Sequence, residues 1–208
     1  MNLEKLKYTK GYRTFLNGIW NDNPIFSMVL GICSALAVTN RVQNALAMGA
    51  GVTFVLVLSG VVISILRTII PNRFRIIIYM IVIAALVATV QNLLEAWFPD
   101  IATALGPYVA LIITNCIIMG RAEAFAVKNN VFHTVVDAVS SGLGYSFSLI
   151  IVSVIREVLA FGTILNIKVA PEGWTQWVVM AMAPGAFFLF SLYIWITRSL
   201  AKIETDKG

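Results

Sequence analysis

Residues 42–66 read VQNALAMGAGVTFVLVLSGVVISIL, with no charged side chain among them. A run of this length and apolarity has few options. A helix that crosses a bilayer needs about 20 apolar residues. Lipid offers the backbone no hydrogen-bond partners, so such a run must satisfy its own N–H and C=O groups as a helix. Five more apolar segments share the chain: a short one from about Pro24 to Thr39, then Ile76 to Phe98, Ala102 to Met119, Val131 to Leu159 and Trp177 to Thr197. The fourth is interrupted early by Gly106-Pro107, and it and the first are marginal in length. Only 12% of residues are charged and 59% are hydrophobic, where soluble domains carry about 25% charged residues. The sequence therefore predicts an all-α integral membrane protein with six transmembrane segments. No Lys/Arg-rich face suggests nucleic acid as a partner. The basic N-terminus, MNLEKLKYTKGYRTF, leads into no apolar core with a small-residue cleavage site, so a signal peptide is not expected.

Charge placement predicts the orientation. With a cytoplasmic N-terminus, the inner side receives Lys5, Lys7, Lys10, Arg13, Arg67, Arg73, Arg75, Arg121, Lys128, Arg198, Lys202 and Lys207. The outer side receives Arg41, Arg156 and Lys168, with the acidic Glu95, Asp100, Glu157 and Glu172. Twelve basic residues against three follow the positive-inside rule, so both termini are expected in the cytoplasm. Trp97, Trp174 and Trp177 fall at outer segment ends, as interfacial tryptophans do. The connections are too short for a soluble nucleotide-binding domain, so NADH or flavin chemistry would belong to a partner.

The chain holds two cysteines, Cys33 and Cys116, each inside an apolar run. Superposing them pairs two similar halves. Each half is a short apolar segment with a cysteine, an arginine (Arg41 or Arg121), a long segment ending Ser64-Ile65-Leu66-Arg67 or Ser153-Val154-Ile155-Arg156, and a closing segment. Three segments per half make the second half enter the membrane from the opposite side. The expectation is a single membrane domain of two inverted three-helix repeats, about residues 24–98 and 102–197, with the first and fourth segments as short half-helices. In inverted repeats such interrupted segments point to a site near the midplane, which would place both cysteines there. Residue pattern alone leaves three readings open. Cysteines can be small buried hydrophobes, a disulfide if their Cα atoms approach within about 7 Å, or half of a four-thiolate iron–sulfur ligand set completed by another chain.

Other polar residues have structural and functional readings. Arg121 and Glu123 would anchor the end of the fourth segment at the interface, or tune a bound centre through hydrogen bonds. Thr39, Asn40, Thr114 and Asn115 would satisfy backbone groups freed by broken helices. His133 and Asp137 share a helix face at i, i+4 and read as an interfacial pair more than as a relay. Arg67 and Arg156 would snorkel to headgroups. Gly142 and Gly144 would form a close-packing face, internal or toward a partner.

The stretches GICSALAVT, LIITNCIIMGRAEAFA and SGLGYSF followed by IRE resemble a family of bacterial membrane proteins. The family supplies the D subunit of the sodium-translocating NADH:quinone oxidoreductase (Nqr) and the homologous E subunit of the Rnf ferredoxin:NAD oxidoreductase. The likeness covers about residues 20–200. GICSALAVT, SGLGYSF and APGAFFLFSLYIW look more like the quinone reductase, whereas RIIIYMIVIAALVATVQ looks closer to Rnf. The resemblance implies a homologous sister membrane protein of opposite topology, with a 2Fe-2S cluster shared between the two. Cys33 and Cys116 would be this chain's cofactor-binding and metal-ligating residues, and no flavin or NADH would bind to it directly. It also implies partners bearing flavin and iron–sulfur groups, and a complex in the bacterial inner membrane that couples electron transfer to sodium movement. The chain would then be part of an enzyme without holding a complete active site. The reading of another class is a small transporter or channel on the same inverted repeat, which predicts several charges along a polar pathway.

Overall fold

The computed structural model of the chain describes residues 24–25, 28–67, 70–71, 73–97, 106, 108–164, 167–168 and 178–205. The N-terminal basic residues, Asp100, Pro107, Glu172, Trp174, Trp177 and Lys207 lie outside the described residues. The elements in order are α1 (Ile32–Val38), α2 (Val42–Leu66) and α3 (Arg75–Trp97), then helical residues 108–113 and α4 (Cys116–Arg121). Helix α4 runs on into a π-helical turn, Ala122–Ala126. After α5 (Val131–Phe161) come β1 (Thr163–Ile164), β2 (Ile167–Lys168), α6 (Val178–Ala181) and α7 (Ala183–Thr205). The two strands form a small antiparallel ladder, Thr163 opposite Lys168 and Ile164 opposite Ile167. Apart from this ladder the regular structure among the described residues is helical.

Four helical stretches are long and apolar enough to cross a membrane: Val42–Leu66, Arg75–Asn92, Tyr108–Ala126 and Val131–Phe161. Helix α1, at seven residues, is too short to cross alone, and α7 is not among the four. The fourth segment departs from the sequence expectation. It continues past Met119 through Arg121 and Glu123 to Ala126, and among the described residues its break falls at Thr114-Asn115. The break falls there because the Asn115 side chain takes the Ile117 N–H and starts a new helix.

The core is an antiparallel pair, α2 against α5. Small residues bring the two backbones together. A Cβ on Gly49 would lie 2.6 Å from Ser146 Oγ, one on Gly142 2.6 Å from Thr53, and one on Gly60 3.0 Å from Thr134. Gly142 thus packs internally against α2. The ascending positions on α2 meet descending positions on α5, which fixes the antiparallel sense. Val42 and Val131, Thr53 and Gly142, and Arg67 and Arg156 are each 89 positions apart. Thr53 meets Gly142 near the middle of both helices, so the pair has a local two-fold relation about that contact. The cysteines are 83 positions apart, so the second half carries six more residues between its cysteine and its long helix. The π-helical turn lies in that extra length.

The ends of the pair grip the short helices. At one end Ser64 Oγ and Arg67 Nη1 donate to the Asn129 carbonyl, at 3.0 and 2.9 Å, and Arg67 Nη2 donates to Asn130 Oδ1. At the other, Arg156 is 1% exposed and donates to the carbonyls of Leu36, Met180 and Met182 and to Thr39 Oγ1. Arg156 is thus buried within the protein, contrary to the snorkelling expected from the sequence. Broken helices leave carbonyls without intrahelical partners, and a guanidinium carries enough donors to serve several at once. Glu157 Oε2 accepts the Val42 N–H at 2.8 Å, capping the start of α2.

Candidate functional site

Both cysteines sit in the first turn of a short helix. Cys33 is the second residue of α1 and Cys116 the first of α4. The two helices start from one place and run to opposite ends of the α2/α5 pair. The α1 end reaches Arg156, and the far end of the second short segment reaches Arg67 and Ser64. At the shared starting point Gly31, two residues before Cys33, meets Cys116, which brings the two thiols near each other. Both are free thiols, Cys33 exposed and Cys116 half-buried. The Gly31 N–H donates to Cys116 Sγ at 2.8 Å. Gly31 holds φ +81°, and a Cβ there would lie 2.6 Å from Ile117 Cδ1 and 3.0 Å from the Tyr145 ring. Glycine alone combines that left-handed backbone with so close an approach. Tyr145, beside this junction, lies next to the midpoint of α5, so the thiols stand level with the middle of the long helices.

Below the thiols lies a closed polar cluster. Ser34 Oγ donates to the Gly31 carbonyl at 3.0 Å, lies 2.8 Å from the Tyr145 hydroxyl and accepts from Asn115 Nδ2 at 3.2 Å. Ser34, Asn115 and Tyr145 are all buried. Asn115 therefore has two tasks: its Oδ1 caps α4 and its Nδ2 reaches across to the other half. Thr114 serves its own backbone, donating to the Ala110 carbonyl. Thr39 instead receives Arg156, and the buried Asn40 Oδ1 has no partner. Sequence reasoning missed Tyr145 and Gly31. The available signal was a phenol near the middle of a long predicted span.

Arg121 and Asp137 are both buried and ion-paired to each other, Nη2 to Oδ1. Arg121 is thus no interfacial anchor, and Asp137 turns its carboxylate to Arg121. The pair borders a cavity of about 10 Å³, also lined by Ser59 and Thr134, close to the room that one water needs. His133 is half-buried with its ring edge-on to Phe132, centroids 5.9 Å apart. Glu123, on the π-helical turn, accepts from Arg75 at 3.1 Å and from Tyr79 at 2.8 Å, tying that turn to α3.

The cysteine pair has the chemistry of half a metal-cluster site. Iron–sulfur clusters are held by thiolates, four in an all-cysteine two-iron centre, and N–H donors to sulfur tune them. Here two free thiols lie side by side, one exposed, and one sulfur accepts an N–H. No group of three or more His, Cys, Asp or Glu side chains occurs among the described residues. The donors fit a cluster whose remaining ligands come from another chain.

The family described as Rnf-Nqr subunit, membrane protein, matches residues 12–194. The D subunit of the Na(+)-translocating NADH-quinone reductase of Pseudoalteromonas atlantica is 43% identical over 204 residues, covering 95% of this chain and 97% of that protein.

Proposed function

This chain belongs to the Rnf-Nqr family of membrane proteins, and from that premise we propose that it is the D subunit of a sodium-translocating NADH:quinone reductase. It relays electrons across the membrane through a 2Fe-2S cluster shared with a homologous sister protein of opposite topology. The observation that carries the reading is the meeting of Cys33 and Cys116 at two helix starts, level with the middle of α2 and α5. Bound there, the cluster would take up and pass on one electron at a time. The chain's own part is to present two thiolates toward a partner and to place the Gly31 N–H against the Cys116 sulfur. It also holds both thiols at helix starts beside the buried Ser34, Asn115 and Tyr145. The two-fold relation of α2 and α5 supports the inverted three-helix repeats, with α1 and α4 as half-helices. The repeats suit pairing with a sister built on the same plan in the opposite sense. Six spans, both termini in the cytoplasm and a place in the bacterial inner membrane belong to this reading, supported by the distribution of basic residues. The 43% identity to a quinone reductase component favours that complex over the Rnf ferredoxin:NAD oxidoreductase.

The test is iron and acid-labile sulfide per complex in membranes carrying wild type, Cys33→Ala or Cys116→Ala, with assembly measured in parallel. The expected result is loss of about two irons with either substitution, in keeping with a two-iron centre, while other cofactors remain and quinone reduction stops. Unchanged iron with surviving turnover would overturn the relay and return the chain to the transporter reading.

A further inference from the structure

The two thiols come from chain breaks 83 residues apart, and something must hold those breaks in register. Ser34 shows what does. A serine hydroxyl has one proton to donate and two lone pairs to accept with. Donation to the Gly31 carbonyl uses the proton. Asn115 Nδ2 and the Tyr145 hydroxyl must then both donate to Ser34 Oγ. Ser34 Oγ therefore joins the Asn115 amide to the Tyr145 phenol. Ser34 and Asn115 belong to the two helix starts, and Tyr145 stands on the long helix between them. Tyr145 is fully buried, and its ring packs against Gly31, the residue whose N–H meets Cys116 Sγ.

We propose that Tyr145 is a positioning residue for the redox centre of Cys33 and Cys116. Its hydroxyl bonds Ser34, the hub that also takes Asn115 and Gly31, ties the two helix starts to the long helix and so keeps the Gly31 N–H on the Cys116 sulfur. The proposal rests on the cluster reading above and adds a residue that is not itself a ligand.

The test uses the intact purified complex with Tyr145→Phe, which keeps the ring and removes only the hydroxyl. Iron and sulfide are counted, and the midpoint potential of the cysteine-dependent signal is measured by redox titration with electron paramagnetic resonance. Iron at the wild-type level with a potential shifted negative is expected, because a weaker N–H to sulfur bond stabilises the added electron less. Ser34→Ala should shift the potential the same way, and the double substitution should shift it little further, since both break the same Ser34–Tyr145 bond. Tyr193→Phe is the control. That phenol also bonds a serine of α5, Ser148 at 3.1 Å, and its loss should leave the potential unchanged. A wild-type potential in Tyr145→Phe, or an equal shift in Tyr193→Phe, overturns the proposal. If Tyr145→Phe does not assemble, Ser34→Ala decides alone by the same criterion. If the cysteine substitutions leave iron unchanged, the cluster reading has failed, and the register of the thiols is read separately. Diamide should then close a Cys33–Cys116 disulfide several-fold more slowly in Tyr145→Phe than in wild type, and an equal rate would refute the positioning role.

Discussion

Replacing Arg156 with methionine removes a buried clasp of defined geometry. Its guanidinium donates at 2.8 Å to Met180 O, at 3.0 Å to both Leu36 O and Thr39 Oγ1, and at 3.1 Å to Met182 O. Methionine matches the stem and supplies no donor, so three carbonyls and a hydroxyl lose a partner. A buried polar group left unsatisfied costs about 1–3 kcal/mol. Relaxation and the recovered desolvation of the arginine reduce the sum, so the net loss should be about 3–5 kcal/mol, as when other buried charge networks are broken. Lysine should recover less than half, because an ammonium cannot reproduce the planar fork. The assay is thermal unfolding of the whole complex, read as loss of the intact species after heating, for wild type, Arg156→Met and Arg156→Lys. If both variants stay within about 0.5 kcal/mol of wild type, as ordinary surface substitutions do, the arginine sits among headgroups and the clasp is refuted.

Three further outcomes rest on the same geometry. Arg121→Met or Asp137→Leu alone should destabilise the chain by about 3–5 kcal/mol by stranding a buried charge, whereas the double substitution should regain most of that; a double-mutant cycle by thermal unfolding checks the coupling. Gly31→Ala forces a side chain onto φ +81° and against Ile117, at a backbone cost of about 1–2 kcal/mol before the clash, and should lower iron content even in assembled complex. Asn115→Ala should cost about 1 kcal/mol through the lost helix cap. Asn115→Asp keeps the cap but not the donor to Ser34, so circular dichroism should separate its intact helix from its altered iron signal.

The helices are legible in the sequence because long uncharged runs leave the backbone one solution, and α2, α3 and α5 lie close to where the apolar pattern places them. The two cysteines can be singled out by their matched positions, but only the folded chain brings them near each other. The arginines mislead for a physical reason. In a membrane sequence, a charge at the end of an apolar run looks the same whether it reaches for headgroups or for the broken end of another helix. Arg67 and Arg156 do the second. Arg121 misleads because apolarity alone ends the fourth segment at Met119, whereas its continuation depends on the Asn115 cap and on Asp137, sixteen residues away. Tyr145 gives no periodic signal at all, since its role comes from two chain breaks that are distant in sequence.

The two-fold plan is closest along α2 and α5 and weakest after the second cysteine. Both long helices follow one spacing of 89 residues, while the cysteines follow 83. The six additional residues are accommodated by the longer second short segment and its π-helical turn. That segment carries Arg121, paired with Asp137, and Glu123, held by Arg75 and Tyr79. The first short segment carries no charged residue between Cys33 and Arg41, and its end is bound to Arg156 through the Leu36 carbonyl and the Thr39 hydroxyl. One side of the cysteine pair is therefore joined to α5 and α3 by ion pairs, the other by a cation on a carbonyl and a hydroxyl. A charge arriving at the thiols would act through different contacts on the two sides.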